Sequence, residues 1–474
     1  MSAPDDLVFL PVAAQATLLR TRQVSPVELT EAYLARITAL DPTVNAFITV
    51  TADRARTEAR AAEQAIMRGD YRGPLHGIPY APKDILATRG VRTTNGSKVT
   101  ANLVPDSEST ITERLNAAGA VLLGKLNLLE FAMGSGVVSG FGPSRNPWDL
   151  ARTPSGSSSG SGAALAAHMV PLSIGTDTGG SIRGPASFCG VVGLKQTYGR
   201  VSRYGVTTLA WTLDHAGPMT RTVADAALML EVIAGADPRD PTCTADPVPS
   251  YTGQLTRELR GVRVGVPRRH FAEEAHADVE RAYRAALATL RDLGATLVDV
   301  DVPHAPYATA AGWVVAMAEA AQFHERRLAE TPELFDPIVR ERLDAARFYP
   351  ATDYIKAMRI RTLLMDEMAA VFRACDVMVV PANTSLPGLI DTPEVAATDV
   401  KPGSTPTPFR GGNTFLGNMT GLPALVLPCG FSTGPPRLPI GLQVYGRAFD
   451  EALVLRVGHA YEQATTWHLQ KPPV

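Results

Sequence analysis

The sequence predicts an α/β fold: a single large domain in which a mixed, mostly parallel β-sheet is covered by helices on both faces. Three observations carry this expectation. Short apolar runs alternate with amphipathic helical stretches along the chain, the rhythm of β–α–β units. Hydrophobic residues form 45% of the 474 positions, enough for a large buried sheet. No apolar run reaches the roughly 18 residues that a membrane-spanning helix needs, so no span is expected.

The elements follow in order. Ser25 starts the first clear helix, with a serine cap, Pro26 in the first turn and Glu28 three residues after the cap. LTEAYLARITAL continues it with helical apolar spacing, and TADRARTEARAAEQAIMRG reads as a second helix ending near Gly69. GPLHGIPYAPKDILATRG is short, apolar and broken by Gly and Pro, hence strand and tight loop. AVLLGKLN reads as one buried strand, residues 161–168 as a short helix of small residues, and PLSIGTDT as another strand. Thr222 caps a helix through ADAALMLEVIAG that stops at Gly235. Residues 236–258 are proline-rich and polar, a connecting loop. GVRVGVP, a helix over about 275–293 and ATLVDVDVP repeat the β–α–β rhythm, and 308–375 reads as largely helical. CDVMVVPA, ALVLPCG and IGLQVYG are strands, and 450–464 is the last helix. Residues 384–410 have no period and many prolines, a long loop of the kind that forms a lid or pocket wall.

Composition narrows the function classes. Lys+Arg 45 against Asp+Glu 47 leaves a formal charge of −2; no basic face is needed to explain that balance, so nucleic acid is not an expected partner. The amino-terminal MSAPDDLVFLPVAAQ lacks the basic region of a secretory signal, and Cys189, Cys243, Cys375 and Cys429 contain no CxxC pair. A cytoplasmic protein with reduced thiols and no structural zinc is the expectation. Only seven of the basic residues are lysines, so a lysine in an apolar run stands out.

Residues 154–193, PSGSSSGSGAALAAHMVPLSIGTDTGGSIRGPASFCGVVG, hold two serine–glycine clusters, at 156–161 and 178–181. A serine hydroxyl attacks an acyl group only when a base takes its proton and N–H donors stabilise the oxyanion. In Asp177-Thr178-Gly179-Gly180-Ser181 small residues let successive N–H groups turn toward one point; alone, the motif also reads as a glycine turn capped by serine. Lys83 lies in the apolar GIPYAPKDIL, where burial disfavours the ammonium and leaves an amine able to accept a proton. Alone, Lys83 beside Asp84 also reads as a buried ion pair. His168 and His215 lack a polar cluster and read as surface or core. Gly156-Ser157-Ser158-Ser159-Gly160 fits GxSxG with Ser158 as nucleophile, yet the polar NPWDLARTPS before it is no strand, so that elbow is set aside.

Together, GIPYAPKD, GSSSGSGAALAA and GTDTGGSIRGPASFCGVVGLKQTYGRVS, in this order and spacing, resemble the amidase signature family of serine hydrolases. The resemblance extends through LPIGLQVYGRAFDEALVLRVGHAYEQAT and so covers nearly the whole chain. It implies one domain over 1–474, a catalytic core segment over 77–205, and a pocket wall from the helical and loop region 308–415. It also implies hydrolysis of a carboxamide through an acyl-enzyme and a Ser–cis-Ser–Lys triad. Ser181 would be the nucleophile, Ser157 the bridging serine in a cis peptide bond, and Lys83 the base. The N–H groups of Thr178, Gly179, Gly180 and Ser181 would form the oxyanion hole. Asn95, Met133, Gly134 and Ser135 would contact substrate. No cofactor or metal is implied. Where the family usually has GGSSGGS, this chain has serine at Ser155 and Ser159 in place of two glycines. Asp177 and Arg183 would brace the loop.

For the substrate, GLKQTYGRVSRYGV is similar to one branch of the family, the glutamine-hydrolysing A subunit of tRNA-dependent amidotransferases. That branch would place an acid near Gly411, and FRGGNTFLGNMTGLP has none. The expectation is therefore a free-standing amidase whose partner is a small or aryl amide, with aryl esters and carbamates sharing its chemistry and a homo-oligomer compatible with the sequence. The glutamine-hydrolysing component of an amidotransferase is the alternative. Trp313, Phe323, Phe335, Phe348 and Tyr349 would line an apolar pocket or simply belong to the core.

Overall fold

A computed structural model describes residues 4–133, 138–390 and 413–474. Among the described residues ten strands form one sheet in the order β3-β2-β5-β7-β6-β11-β12-β10-β8-β9, with β2 Pro79–Pro82, β3 Val121–Leu122, β5 Leu172–Asp177, β6 Val192–Lys195, β7 His215–Thr220, β8 Arg263–Pro267, β9 Thr296–Val300, β10 Val377–Pro381, β11 Ala424–Phe431 and β12 Pro439–Gly446. The parallel pairs lie toward the two edges, β3–β2–β5 and β10–β8–β9. The central pairings from β5 through β7, β6, β11 and β12 to β10 are antiparallel. Every residue of β11 and β12 is buried, and helices 183–189, 277–292 and 451–463 all pack on this pair. Such strands read as continuous apolar runs because neither face meets water. Among the described residues no helix is long and apolar enough to cross a membrane.

Local signals operate as the residues dictate. Ser25 and Glu28 form the reciprocal capping box of helix Pro26–Val44, and Thr222 caps helix Val223–Ile233. One expectation is corrected. AVLLGKLN is two strands rather than one, because Gly124 at φ +157° turns the chain where a Cβ would overlap the Thr49 carbonyl. β3 therefore borders the large sheet, whereas β4 Gly124–Leu126 pairs antiparallel with β1 Phe47–Val50 in a separate two-stranded sheet.

This topology gathers the chemistry. β2 and β5 are neighbours and parallel, with Pro82 opposite Ile174. Lys83 follows β2 and residues 178–181 follow β5, so both emerge at the same carboxyl edge of the sheet, where α/β folds place their sites.

Candidate active site

The backbone around Lys83 is fixed on both sides. Its N–H donates to Ile174 at 2.9 Å, and the Asp84 N–H donates to Leu126 at 2.9 Å. The side chain is fully buried, with Nζ 2.7 Å from Ser157 Oγ and 2.7 Å from Thr176 Oγ1. Burial pulls the Lys83 ammonium down to about 7, against the upward pull of the Asp177 and Asp214 charges. Asp84 is not its partner. That carboxylate meets Lys125 at 3.3 Å and accepts from the N–H and hydroxyl of Thr94. Among the described residues Lys83 thus faces two hydroxyls and no carboxylate within ion-pair distance, the setting of a neutral amine.

The first serine–glycine cluster leads into helix Ser159–Ala166, buried along its length. The Gly156–Ser157 peptide is cis. The Ser157 carbonyl accepts from Leu129 N at 3.1 Å, which ties the cluster to segment 129–133. Ser158, the centre of GxSxG, points into β5: its hydroxyl donates to Thr176 O at 3.2 Å and accepts from Thr176 N at 3.2 Å. Its hydroxyl is therefore committed to backbone rather than to a base.

After β5, Asp177 organises the turn. Its carboxylate accepts from Gly180 N at 2.9 Å and Ile182 N at 3.1 Å, and from Arg183 Nε and Nη2 at 3.0 Å each. Burial alone would raise this carboxyl; the Arg183 charge and hydrogen bonds hold it well below the usual carboxylate range. Arg183 also donates to Gln443 at 2.8 Å and Asn418 at 2.7 Å, locking the turn to β12 and to helix Phe415–Thr420. Thr414 Oγ1 donates to Gly179 O at 2.6 Å. The Phe415 ring covers Gly179, where a Cβ would overlap it, so glycine is required there. Ser181 is half-exposed while Ser157 and Lys83 are buried. Among the described residues the N–H groups of Gly179 and Ser181 have no partner, whereas that of Gly180 is taken by Asp177.

Asn95 sits at φ +55° with its N–H on Asp84 O at 2.9 Å, its carbonyl accepting from Phe131 N at 2.8 Å, and Oδ1 buried without a partner among the described residues. Met133 is buried at the end of the same segment. Gly134, Ser135 and Gly411 lie outside the described residues, as does most of the 384–410 loop. His215 is buried against Lys195 at 3.1 Å, and His168 against Phe9; burial lowers both rings, so neither holds a proton near neutrality. Of the aromatic residues in 308–350, Phe335 is core beside Phe131, while Phe348 and Tyr349 face solvent. Trp313 comes near the turn by packing on Phe415, 5.6 Å between centroids. Thr176, Thr414, Phe415 and Asn418 are site residues that the motifs do not reveal. Thr176 lies within GTDTGG but is hidden by being on a strand, and the other three carry no local signal.

A family description, Amidase, matches residues 28–455. The chain belongs to the amidase signature family. It is an amidase-type enzyme, acting on C–N amide bonds. Among relatives of this amidase is the A subunit of the glutamyl-tRNA(Gln) amidotransferase of Chloroflexus aurantiacus, 45% identical over 98% of this chain and 99% of that one. Two solved structures superpose on it closely. One, from a study of a vestigial protein complex and the origins of an s-triazine catabolic enzyme, has TM-score 0.88 at 35% identity, covering 96% of this chain and 98% of that one. The other is the A subunit of the glutamyl-tRNA(Gln) amidotransferase of Thermotoga maritima, with TM-score 0.79 at 33% identity, covering 97% and 95%.

These likenesses correct two expectations, the free-standing amidase and the small amide as its partner. Both rest on one acid missing near Gly411. Similarity over the full length to components of an amidotransferase outweighs one position. An ammonium group can be neutralised from any element that borders a pocket, so a missing acid at one point excludes little.

Proposed function

We propose that this chain is the glutamine-hydrolysing A subunit of a tRNA-dependent amidotransferase, working with protein partners that use the ammonia it releases. The observation that carries the chemistry is the 2.7 Å approach of Lys83 Nζ to Ser157 Oγ beside the glycine turn of Ser181; full-length likeness to the Chloroflexus aurantiacus protein supports the substrate.

Neutral Lys83 draws a proton from Ser157, Ser157 draws one from Ser181, and Ser181 Oγ attacks the side-chain amide carbon. The oxyanion is received by N–H groups of the 178–181 turn, with Gly179 and Ser181 the donors left free by Asp177. The relay then runs backward, protonates the leaving nitrogen and releases ammonia. Water, deprotonated by the same pair, hydrolyses the acyl-enzyme to glutamate. Met133 ends the segment that Leu129 ties to Ser157, and Asn95 bonds to that same segment through Phe131; together they form one wall for the substrate. Aryl esters and carbamates pass through the same tetrahedral state and serve as surrogate substrates.

The test is ammonia release from glutamine by the purified chain, alone and with its partner subunits. Glutaminase activity that rises on assembly is expected. Rapid cleavage of nitroanilides with no glutamine turnover in either state would overturn the reading.

A further inference from the structure

Asp214 is buried beside the site but has no place in the proton relay. Its oxygens are divided between two pieces of structure. Oδ1 accepts from the Thr178 hydroxyl at 2.6 Å, and Oδ2 accepts from the N–H groups of Leu209 at 2.9 Å and Ala210 at 3.0 Å. The segment that ends at Asp214 is itself held from outside. Thr212 donates from N and Oγ1 to Glu319 at 2.9 and 2.8 Å, and Arg361 donates to the Thr212 carbonyl at 3.3 Å. These partners lie on helices Tyr307–Glu330 and Ala351–Ala374.

The turn needs such an anchor. Gly179 and Gly180 have no side chains, and Gly180 sits at φ +132°, so the backbone that must present N–H groups has many alternatives. Asp177 fixes Gly180 and Thr414 fixes Gly179. Only Thr178 can be held through a side chain of the turn itself before Ser181, and a hydroxyl-to-carboxylate bond is charge-assisted.

We infer that Asp214 is a positioning residue for acyl transfer: through the Thr178 hydroxyl it holds the glycine turn that presents Ser181 and the oxyanion donors. The inference rests on the Ser181 chemistry proposed above and not on glutamine as the substrate. The Asp214 charge has a second effect. Burial raises its carboxyl to about 6, and its anion, with that of Asp177, pulls the Lys83 ammonium upward. Arg203 faces Asp214, and Arg183 and Lys195 face Asp177. Removing the Asp214 charge therefore lowers Lys83 further.

The experiment is the rate of Ser181 phosphonylation by a fluorophosphonate probe, followed against pH, for the full chain and for Asp214→Asn, Thr178→Val and the double variant, with melting temperatures alongside. Loss of one oxyanion donor slows catalysis by about 100-fold or more, so a loosened turn is expected to slow labelling by about 10-fold in each single variant. The double variant is expected to be no slower than the worse single, because both remove one interaction. The pH midpoint of labelling is expected to fall in Asp214→Asn and to fall less in Thr178→Val, which keeps the carboxyl group, a split that general damage does not produce. Wild-type rates in both single variants overturn the inference. If Asp214→Asn does not fold, Thr178→Val decides alone, since it keeps the side-chain shape and removes only the hydroxyl. No labelling of Ser181 in the parent chain overturns the inference together with the triad, whereas a labelled chain that ignores glutamine overturns only the substrate.

Discussion

Lys83 Nζ and Ser157 Oγ lie 2.7 Å apart although 74 residues separate them in sequence. The contact exists because β2 and β5 run side by side and bring Lys83 to Thr176, whose backbone also holds Ser158, the residue next to Ser157. It joins a buried amine to a buried hydroxyl, and the burial that shields the pair is what frees the amine of its proton.

Activity should therefore follow the neutral form of Lys83. Burial brings its ammonium down to about 7, so kcat/KM should rise as pH climbs through about 7 and then level off. Lys83→Met should lower turnover by about 1,000-fold or more and abolish that limb. A pH profile flat from about 5 to 9 would count against a lysine base.

Ser157 and Ser158 should separate sharply. Ser157→Ala removes the relay and should reduce turnover about 1,000-fold. Ser158→Ala removes two 3.2 Å bonds to the backbone of Thr176 and should cost about 1 kcal/mol of stability while keeping most activity. Steady-state kinetics on both, with urea denaturation of the second, decide the matter; the reverse pattern would restore the GxSxG reading.

Arg183→Met should be severe. It leaves the fully buried Asp177 carboxylate without its 3.0 Å cation, a change that costs about 3–5 kcal/mol. Arg183→Lys should recover little, because a single ammonium cannot reach Asp177, Gln443 and Asn418 at once. Denaturant midpoints measure both.

Gly160→Ala tests the packing behind the first cluster. A Cβ there would overlap the backbone of Ala46 and Asn127, and backbone held in place by its own hydrogen bonds cannot step aside. A loss of about 1–3 kcal/mol is expected in thermal or urea unfolding, with activity falling because Ser157 shifts.

Much of this is legible in the residues. The capping box at Ser25 and Glu28, the cap at Thr222 and the apolar runs of β5, β10, β11 and β12 are local signals, set by a residue and its near neighbours. The isolation of Lys83 in an apolar run and the Ser–Gly clusters are local too. The break at Gly124 is not legible, since it arises from the Thr49 carbonyl on a strand far away in sequence. Nor is the substrate, because one missing acid near Gly411 does not exclude a charge partner supplied from an element distant in sequence.

By itself, then, the sequence determined most of the elements, their caps and the family, because short-range sterics, hydrogen bonding and apolar periodicity act within a few residues. Tertiary structure decided which hydroxyl meets Lys83, that Asp84 serves Lys125 instead, and that Asp177, Asp214, Thr414 and Phe415 share the task of holding one glycine turn. Those outcomes depend on strand order, since a side chain's partner is set by what the sheet brings beside it.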